Sequence, residues 1–410
     1  DKEKVNNMKI LYYSWEEIIS NDIYETMHNY GCTVTRLRYN LSNNISDAGF
    51  ISYVESMLDE GIDGEAYDYI FSCNFLPVIS KIALRKKIKY ISWCFDSPCT
   101  TLYSEMIYNP YNYIFHFDKY EVARLKKNGV SNVFHLPLAV NMKRINTLLD
   151  NNPISDNDIE NVTFMGNMYA SAPDYEYLYS HLDDYLKGCM DAIVDVQKVF
   201  QGGGMLDELL DDVVVNRINS SVAFQYTDEF KISNKDIIEN ILYRKISGDD
   251  RKRIIKRIAD KYKITLYTNT EKSAVVNNSN IDYRGTLDYY NNMSVVFRNS
   301  KINLNITIRS IRTGIPLRAM DIMASGGFLL SNYQEELAEY FIDGEDMVLY
   351  YDDEDMMNKI EYYLAHDEER KRIAENGCRK VADKYSYANA WRYIFSVCNL
   401  KNEHIDMSNR

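Results

Sequence analysis

The stretch Lys301–Asn332, KINLNITIRSIRTGIPLRAMDIMASGGFLLSN, decides the fold. Ile302, Leu304, Ile306 and Ile308 alternate with Asn303, Asn305 and Thr307, the period-two pattern of a strand with one apolar face. Arg309, Ser310 and Arg312 crowd its end. Pro316 suits the first turn of a helix, where its missing N–H costs nothing. Leu317–Ala324 fill that helix, and Gly326-Gly327 stop it before a second strand, Phe328–Leu330. In an open α/β sheet ligands bind beyond the carboxyl ends of the strands, so the loop Arg309–Ile315 and the helix start should line a crevice. Backbone N–H groups and the helix dipole favour an anion there, and a diphosphate fits. Arg318 and Asp321, three residues apart, share a helix face: the cation can meet phosphate while the carboxylate accepts from ribose hydroxyls. An internal Arg–Asp helix pair is the alternative account of the same spacing.

Upstream, the same alternation recurs. Lys9–Tyr13, Val34–Leu37, Tyr69–Ser72, Tyr90–Phe95, Tyr113–Phe117 and Val133–Leu136 read as short strands, and helical patterns at Ile18–Tyr30, Ile51–Leu58 and Val78–Arg85 alternate with the first of them. This specifies an α/β protein with parallel sheets covered on both faces. A polar, proline-containing stretch, Asn151–Asp156, reads as a linker. The domains are therefore expected as 1–150, 160–385 with a helical insertion at about 174–260, and a C-terminal helix, 386–410, returning to the first domain. Within the insertion, Val213–Val215 is the one ambiguous strand candidate. Strand character resumes at Val162–Met165, Ile264–Tyr267, Ile281–Tyr283, Ile302–Ile308, Gly327–Ser331 and Met347–Tyr351.

At 410 residues the chain suits two domains, and its 46% hydrophobic and 26% charged residues are those of a globular protein. No apolar run is long enough to span a bilayer, and the polar start lacks the apolar core of a signal peptide, so a cytoplasmic protein without membrane insertion is expected. Seven scattered cysteines suggest reduced thiols. A net charge of −13 opposes nucleic acid and anionic lipid. The run Arg251–Lys263 carries seven cations, but Ile254, Ile255 and Ile258 recur among them at helical spacing, as on a helix with a solvated face.

The segment Leu304–Leu337, LNITIRSIRTGIPLRAMDIMASGGFLLSNYQEEL, with Ile342–Gly377 after it, resembles the C-terminal signature of the CgeB-like, spore-maturation-type glycosyltransferases. YISWCFDSP at 90–98, YIFHFD at 113–118 and HLPLAVN at 135–141 resemble that family's N-terminal domain. The resemblance implies the GT-B architecture: two Rossmann-like domains facing across a cleft, acceptor on the first and nucleotide sugar on the second. Against the wider two-Rossmann transferases, Asp321 stands where the ribose-binding second glutamate of a Glu-x7-Glu motif would be. Thr313 falls at the first glutamate, without charge and with shorter reach. Gly166-Asn167 matches the glycine loop after the first C-domain strand, but Asn167 replaces the phosphate-binding arginine, which leaves the charge to Arg309, Arg312 or Arg318. The expected donor-binding set is Gly166, Asn167, Arg284, Gly285, Asn305, Arg309, Arg312, Thr313, Gly314, Arg318 and Asp321; Tyr283–Thr286 is either a loop against the nucleobase or a tight turn.

Asp96 follows a β-prone run and precedes Pro98, so it is either a carboxylate that takes a proton from an acceptor hydroxyl or an Asx-turn. His116, with Asp118 two residues on, is a second catalytic candidate in the acceptor site or a hydrogen-bonded structural histidine. The Asp353-Glu354-Asp355 triplet is read as a helix start, and no metal site is expected. Gly202-Gly203-Gly204 lacks the strand and Lys-Ser/Thr of a phosphate loop and is read as a turn. No cofactor is expected; the donor substrate is a nucleoside-diphosphate sugar, with a UDP-sugar favoured. The expected function is metal-independent transfer of a sugar from that donor to an acceptor hydroxyl on a protein or soluble glycan. The competing readings are an inactive GT-B-fold spore or surface assembly protein, motivated by Thr313, and a nucleotide-sugar epimerase.

Overall fold

The computed structural model describes residues 7–154, 159–199, 206–222, 224 and 231–400. Gly202–Gly204, the end of the linker and the chain beyond residue 400 lie outside the described residues. The chain divides into two compact units, Asp1–Asn141 with Tyr226–Lys231 and Lys384–Arg410, and Met142–Gln225 with Ile232–Asp383. The division falls at Asn141 rather than 150, and the Met142–Asp150 helix counts with the second unit.

In the first unit, β1 (Lys9–Ser14), β2 (Thr33–Arg38), β3 (Tyr69–Cys73), β4 (Lys89–Cys94), β5 (Asn112–His116) and β6 (Val133–His135) form one sheet in the order β2-β1-β3-β4-β5-β6, every pair parallel. Strands buried on both faces have near-continuous apolar sequences, and β3 (YIFSC) and β5 (NYIFH) are buried throughout. The helix Tyr387–Leu400 covers this unit: Trp391 is fully buried edge-on against Phe71 and Trp93, and its indole donates to Thr26 Oγ1 at 3.1 Å. Strand order reverses between β1 and β3, so their carboxyl ends flank a crevice.

In the second unit, β7 (Glu160–Met165), β8 (Ile264–Tyr267), β9 (Ile281–Gly285), β10 (Ser300–Asn305), β11 (Leu329–Asn332) and β12 (Val348–Tyr350) run parallel in the order β12-β11-β10-β7-β8-β9. The reversal here lies between β7 and β10. Strand β10 stops three residues before the expected Ile308, because side chains replace the ladder: Thr307 N–H donates to Asn332 Oδ1 at 2.8 Å and Arg309 N–H to Ser247 Oγ at 2.9 Å. The insertion between β7 and β8 is helical where described, and Val213–Val215 lie inside the helix Asp212–Ser221 rather than a strand. The 26-residue helix Asn234–Ala259 closes it. Ile238, Leu242 and Ile246 in its first half pack in the insertion's own core, while Ile254, Ile255 and Ile258 pack under the sheet. Gly248, between the halves, admits the loop after β7: a Cβ there would lie 2.3 Å from Tyr169 O. Asp352 caps the helix Asp353–Ala365, whose first turn holds the acidic triplet, as the helix-start reading requires.

Candidate functional site

At the β7/β10 reversal two guanidinium groups dominate. Arg318, in the first turn of the helix Leu317–Ala324, lies over the Phe297 ring at 5.6 Å, with Nη1 3.3 Å from Met165 Sδ and also against Met293 Sδ. Thioether sulfur is a weak acceptor and does not neutralise a cation. Arg251, on the Asn234–Ala259 helix, is 8% exposed. It donates through Nη2 to Ile306 O at 2.7 Å and through Nη1 to Asn167 O, so one side chain ties the ends of the two strands that flank the crevice. Burial pushes Arg251 down to about 10, with the Arg318 charge acting in the same sense; it stays cationic at neutral pH. Burial likewise lowers Arg318, opposed by Asp321. Among the described residues neither arginine makes an ion pair, and the nearest opposing charge, Asp321, acts on Arg318 only through space, so two neighbouring cations stand without a salt-bridge partner, an arrangement that favours an anion.

The expected donor residues fall into different places. Gly166 and Asn167 follow β7 directly, and Asn167 Oδ1 accepts from Tyr169 N–H at 2.6 Å. Asp321 is buried on the Arg318 helix and accepts from the Tyr289 hydroxyl at 3.3 Å. Thr313 donates to Glu336 Oε1 at 2.9 Å, and its carbonyl accepts from Glu336 N–H at 3.0 Å, while Gly314 is buried beside it. A buried carboxylate from the segment after β11 thus stands against the residue at the missing glutamate's position. The other expected cations are engaged elsewhere. Arg309 is buried in an ion pair with Asp250, Nε to Oδ2 2.7 Å, and turns toward the Asn234–Ala259 helix. Arg312 is buried with its guanidinium over the Tyr243 ring at 5.4 Å. Asn305 donates to Thr307 Oγ1 and Ser331 Oγ, a bracing role inside the sheet end. Arg284 is exposed on edge strand β9, paired with Asp282 at 2.7 Å, and Gly285 follows with φ +71°.

Arg251 is not among the residues expected from the sequence, where its cationic run suggests a solvated face. Lys252, Lys256 and Arg257 are exposed, as that reading requires. Arg251, however, lies on the buried stripe with Ile254, Ile255 and Ile258, at i, i+3, i+4 and i+7, and that placement was the signal for it.

In the first unit, the loops after β1, β2, β3 and β4 enclose a cavity of about 750 Å³. Asp96 lies on it, exposed, with Oδ2 accepting from Asn74 Nδ2 at 2.6 Å. Asn74, itself at φ +59°, also accepts from Phe95 N–H at 2.9 Å, which fixes the turn that carries Asp96. His116 does not line this cavity. It is fully buried in β5, stacked on Phe117 at 5.3 Å, accepts from Asp118 N–H at 3.1 Å, and burial pushes its pKa down. Asp118 is the N-cap of the Lys119–Lys127 helix. These are the surroundings of a hydrogen-bonded structural histidine, the second of the two readings of the sequence. Among the described residues no cluster of three or more His, Cys, Asp or Glu is placed to hold a metal, no helix is long and apolar enough to cross a membrane, and no cysteine forms a disulfide.

Residues 244–396 match the glycosyl transferase-like family. No curated protein sequence matches the chain significantly. Among solved structures it is similar to sucrose-phosphate synthase from Thermosynechococcus elongatus, at 10% identity and TM-score 0.52 over 98% of this chain and 99% of that one. AviGT4, a glycosyltransferase involved in avilamycin A biosynthesis, superposes at 12% identity and TM-score 0.53 over 96% and 98%. An α,α-trehalose-phosphate synthase (UDP-forming) from Burkholderia vietnamiensis does so at 11% identity and TM-score 0.51 over 96% and 99%. At these identities the likeness is one of fold. Residues 244–396 thus carry the sequence pattern of the glycosyl transferase-like family, in a chain of α/β class with the GT-B fold.

Proposed function

We propose that the protein transfers a sugar from a nucleoside-diphosphate sugar, UDP-linked in the favoured case, to an acceptor hydroxyl, as a member of the CgeB-like type. The observation that carries this is the pair Arg251 and Arg318, two desolvated cations without an ion-pair partner at the strand-order reversal, where α/β sheets bind their ligands. In this reading Arg318 and the start of its helix receive the diphosphate, and the same charges stabilise it as it leaves. Asp321 serves the ribose, with Tyr289 beside it. Asp96 takes the proton of the attacking hydroxyl. The name of the trehalose-phosphate synthase neighbour, UDP-forming, supports the choice of nucleotide. Calorimetric titration with UDP tests the reading: Arg318→Ala is expected to weaken binding by about 1.5–3 kcal/mol, the scale of a charge-assisted hydrogen bond, without change in the folded spectrum. Equal affinity in the two proteins would remove Arg318 from the site.

A further inference from the structure

We propose that the cavity of the first unit takes a saccharide, stacked on the indole of Trp15, so that the acceptor is a glycan and not a protein side chain; this rests on the transferase reading above. Trp93 and Trp391 are fully buried, whereas Trp15 is 46% exposed and lines the cavity. A half-exposed indole on a cavity wall presents a flat apolar face that matches the C–H face of a sugar ring. The ring is held in place. Its Nε1 donates to Cys73 O at 3.2 Å, and its backbone N–H donates to Glu17 Oε2 at 3.0 Å. The buried Glu17 carboxylate also accepts from Ser14 Oγ at 3.3 Å and from the Tyr12 hydroxyl. Glu16, next to Trp15, sits at φ +65°, a left-handed conformation that a non-glycine residue adopts only where its surroundings impose it. The turn is therefore built to present the indole.

The remaining lining decides the ligand class. Asn40 and Asn44 offer amides that both donate to and accept from hydroxyls, and Asp96, braced by Asn74, offers an acceptor. The charged lining residues are Glu16, Asp96 and Arg38, one negative charge in sum, which disfavours a phosphorylated or otherwise anionic ligand. A volume of about 750 Å³ suits a compact polar molecule of one to a few rings.

Because the other two tryptophans are buried, acrylamide quenching of tryptophan emission in the full-length protein reads Trp15. The protein is titrated with N-acetylglucosamine, diacetylchitobiose, maltose, lactose and methyl mannoside, and separately with a serine- and threonine-rich peptide. At least one saccharide is expected to lower the quenching constant by about twofold or more. Calorimetry with that saccharide is expected to show about tenfold weaker binding in Trp15→Ala, most of it recovered in Trp15→Phe, which restores a ring face. Absence of shielding by every saccharide, shielding by the peptide alone, or unchanged affinity in Trp15→Ala overturns the proposal. UDP binding in the same samples separates the two readings: UDP bound without saccharide shielding overturns this inference alone, and shielding without UDP binding overturns the donor reading alone.

Discussion

At the reversal between β1 and β3 the first sheet ends in Trp15, Asn74 and Asp96, whereas at the reversal between β7 and β10 the second ends beside Arg251 and Arg318. The backbone device is the same, two parallel strands whose connections leave in opposite directions. The side chains make one crevice near-neutral, aromatic and amide-rich and the other cationic. In a chain of net charge −13 the cations are the more telling feature, since carboxylates are abundant and yet none pairs with either arginine among the described residues. Asp250 shows the contrast: next to Arg251 in sequence, it pairs with Arg309 and Arg253 instead. Equivalent sheets thus acquire different chemistry from a handful of loop and helix residues.

The comparison breaks most sharply at Asp96. If the first crevice holds the acceptor and its base, Asp96→Asn is expected to lower kcat by about 10²–10⁴-fold, the range for a general base, while shifting UDP affinity far less. The substitution keeps the Asn74 contact geometry, so folding should persist. Steady-state rates alongside UDP titration check it, and near-normal turnover would return Asp96 to a turn-forming role.

Arg251 sharpens the other half. Arg251→Met preserves much of the stem's packing but leaves Asn167 O and Ile306 O without their donor, at a cost of about 2–4 kcal/mol for two buried acceptors. Urea unfolding of the two proteins measures it, and UDP titration is expected to show weakened binding as well. A stability equal to wild type would mean that the two strand ends do not depend on this tie.

Legibility in the sequence followed the range of the interactions. The order in Lys301–Asn332 could be read because periodicity, Pro316 and Gly326-Gly327 act locally, and the helix Leu317–Ala324 and the strand after it are where expected. The early end of β10 could not, since it depends on Asn332 turning back to Thr307. The place of Arg318 in a first helix turn is legible in the sequence, whereas the burial of Arg309 is not, because it depends on Asp250, 59 residues away. His116 sits at a strand end in the sequence and inside the core in space, because the ring turns under Phe117. Trp15 is not legible in the sequence: a tryptophan after a strand signals packing as readily as exposure, and the contacts that hold it on the cavity wall come from Glu17 and from Cys73 O, 58 residues away.

The smallest effect expected is that of removing divalent metal. Sugar transfer from a nucleoside diphosphate leaves a group with two or more negative charges, which either a bound cation or fixed protein groups must neutralise as the bond breaks. Arg251 and Arg318 lie together at the crevice, and the first-turn N–H groups of the Leu317–Ala324 helix add partial positive charge beside Arg318. Arg251 is buried and Arg318 partly so, so their attraction for the developing charge is less screened than that of surface cations. If this pair carries the leaving group, initial rates in excess chelator should stay within about twofold of those with magnesium or manganese, far below the 1.4 kcal/mol of a tenfold change. The same measurement on Arg318→Ala gives the comparison its edge: with one fixed cation gone, added metal is expected to recover part of the lost rate only if it can take that cation's place. A wild-type rate that collapsed in chelator and returned with metal would mean that the second crevice, for all its arginines, is incomplete without an ion.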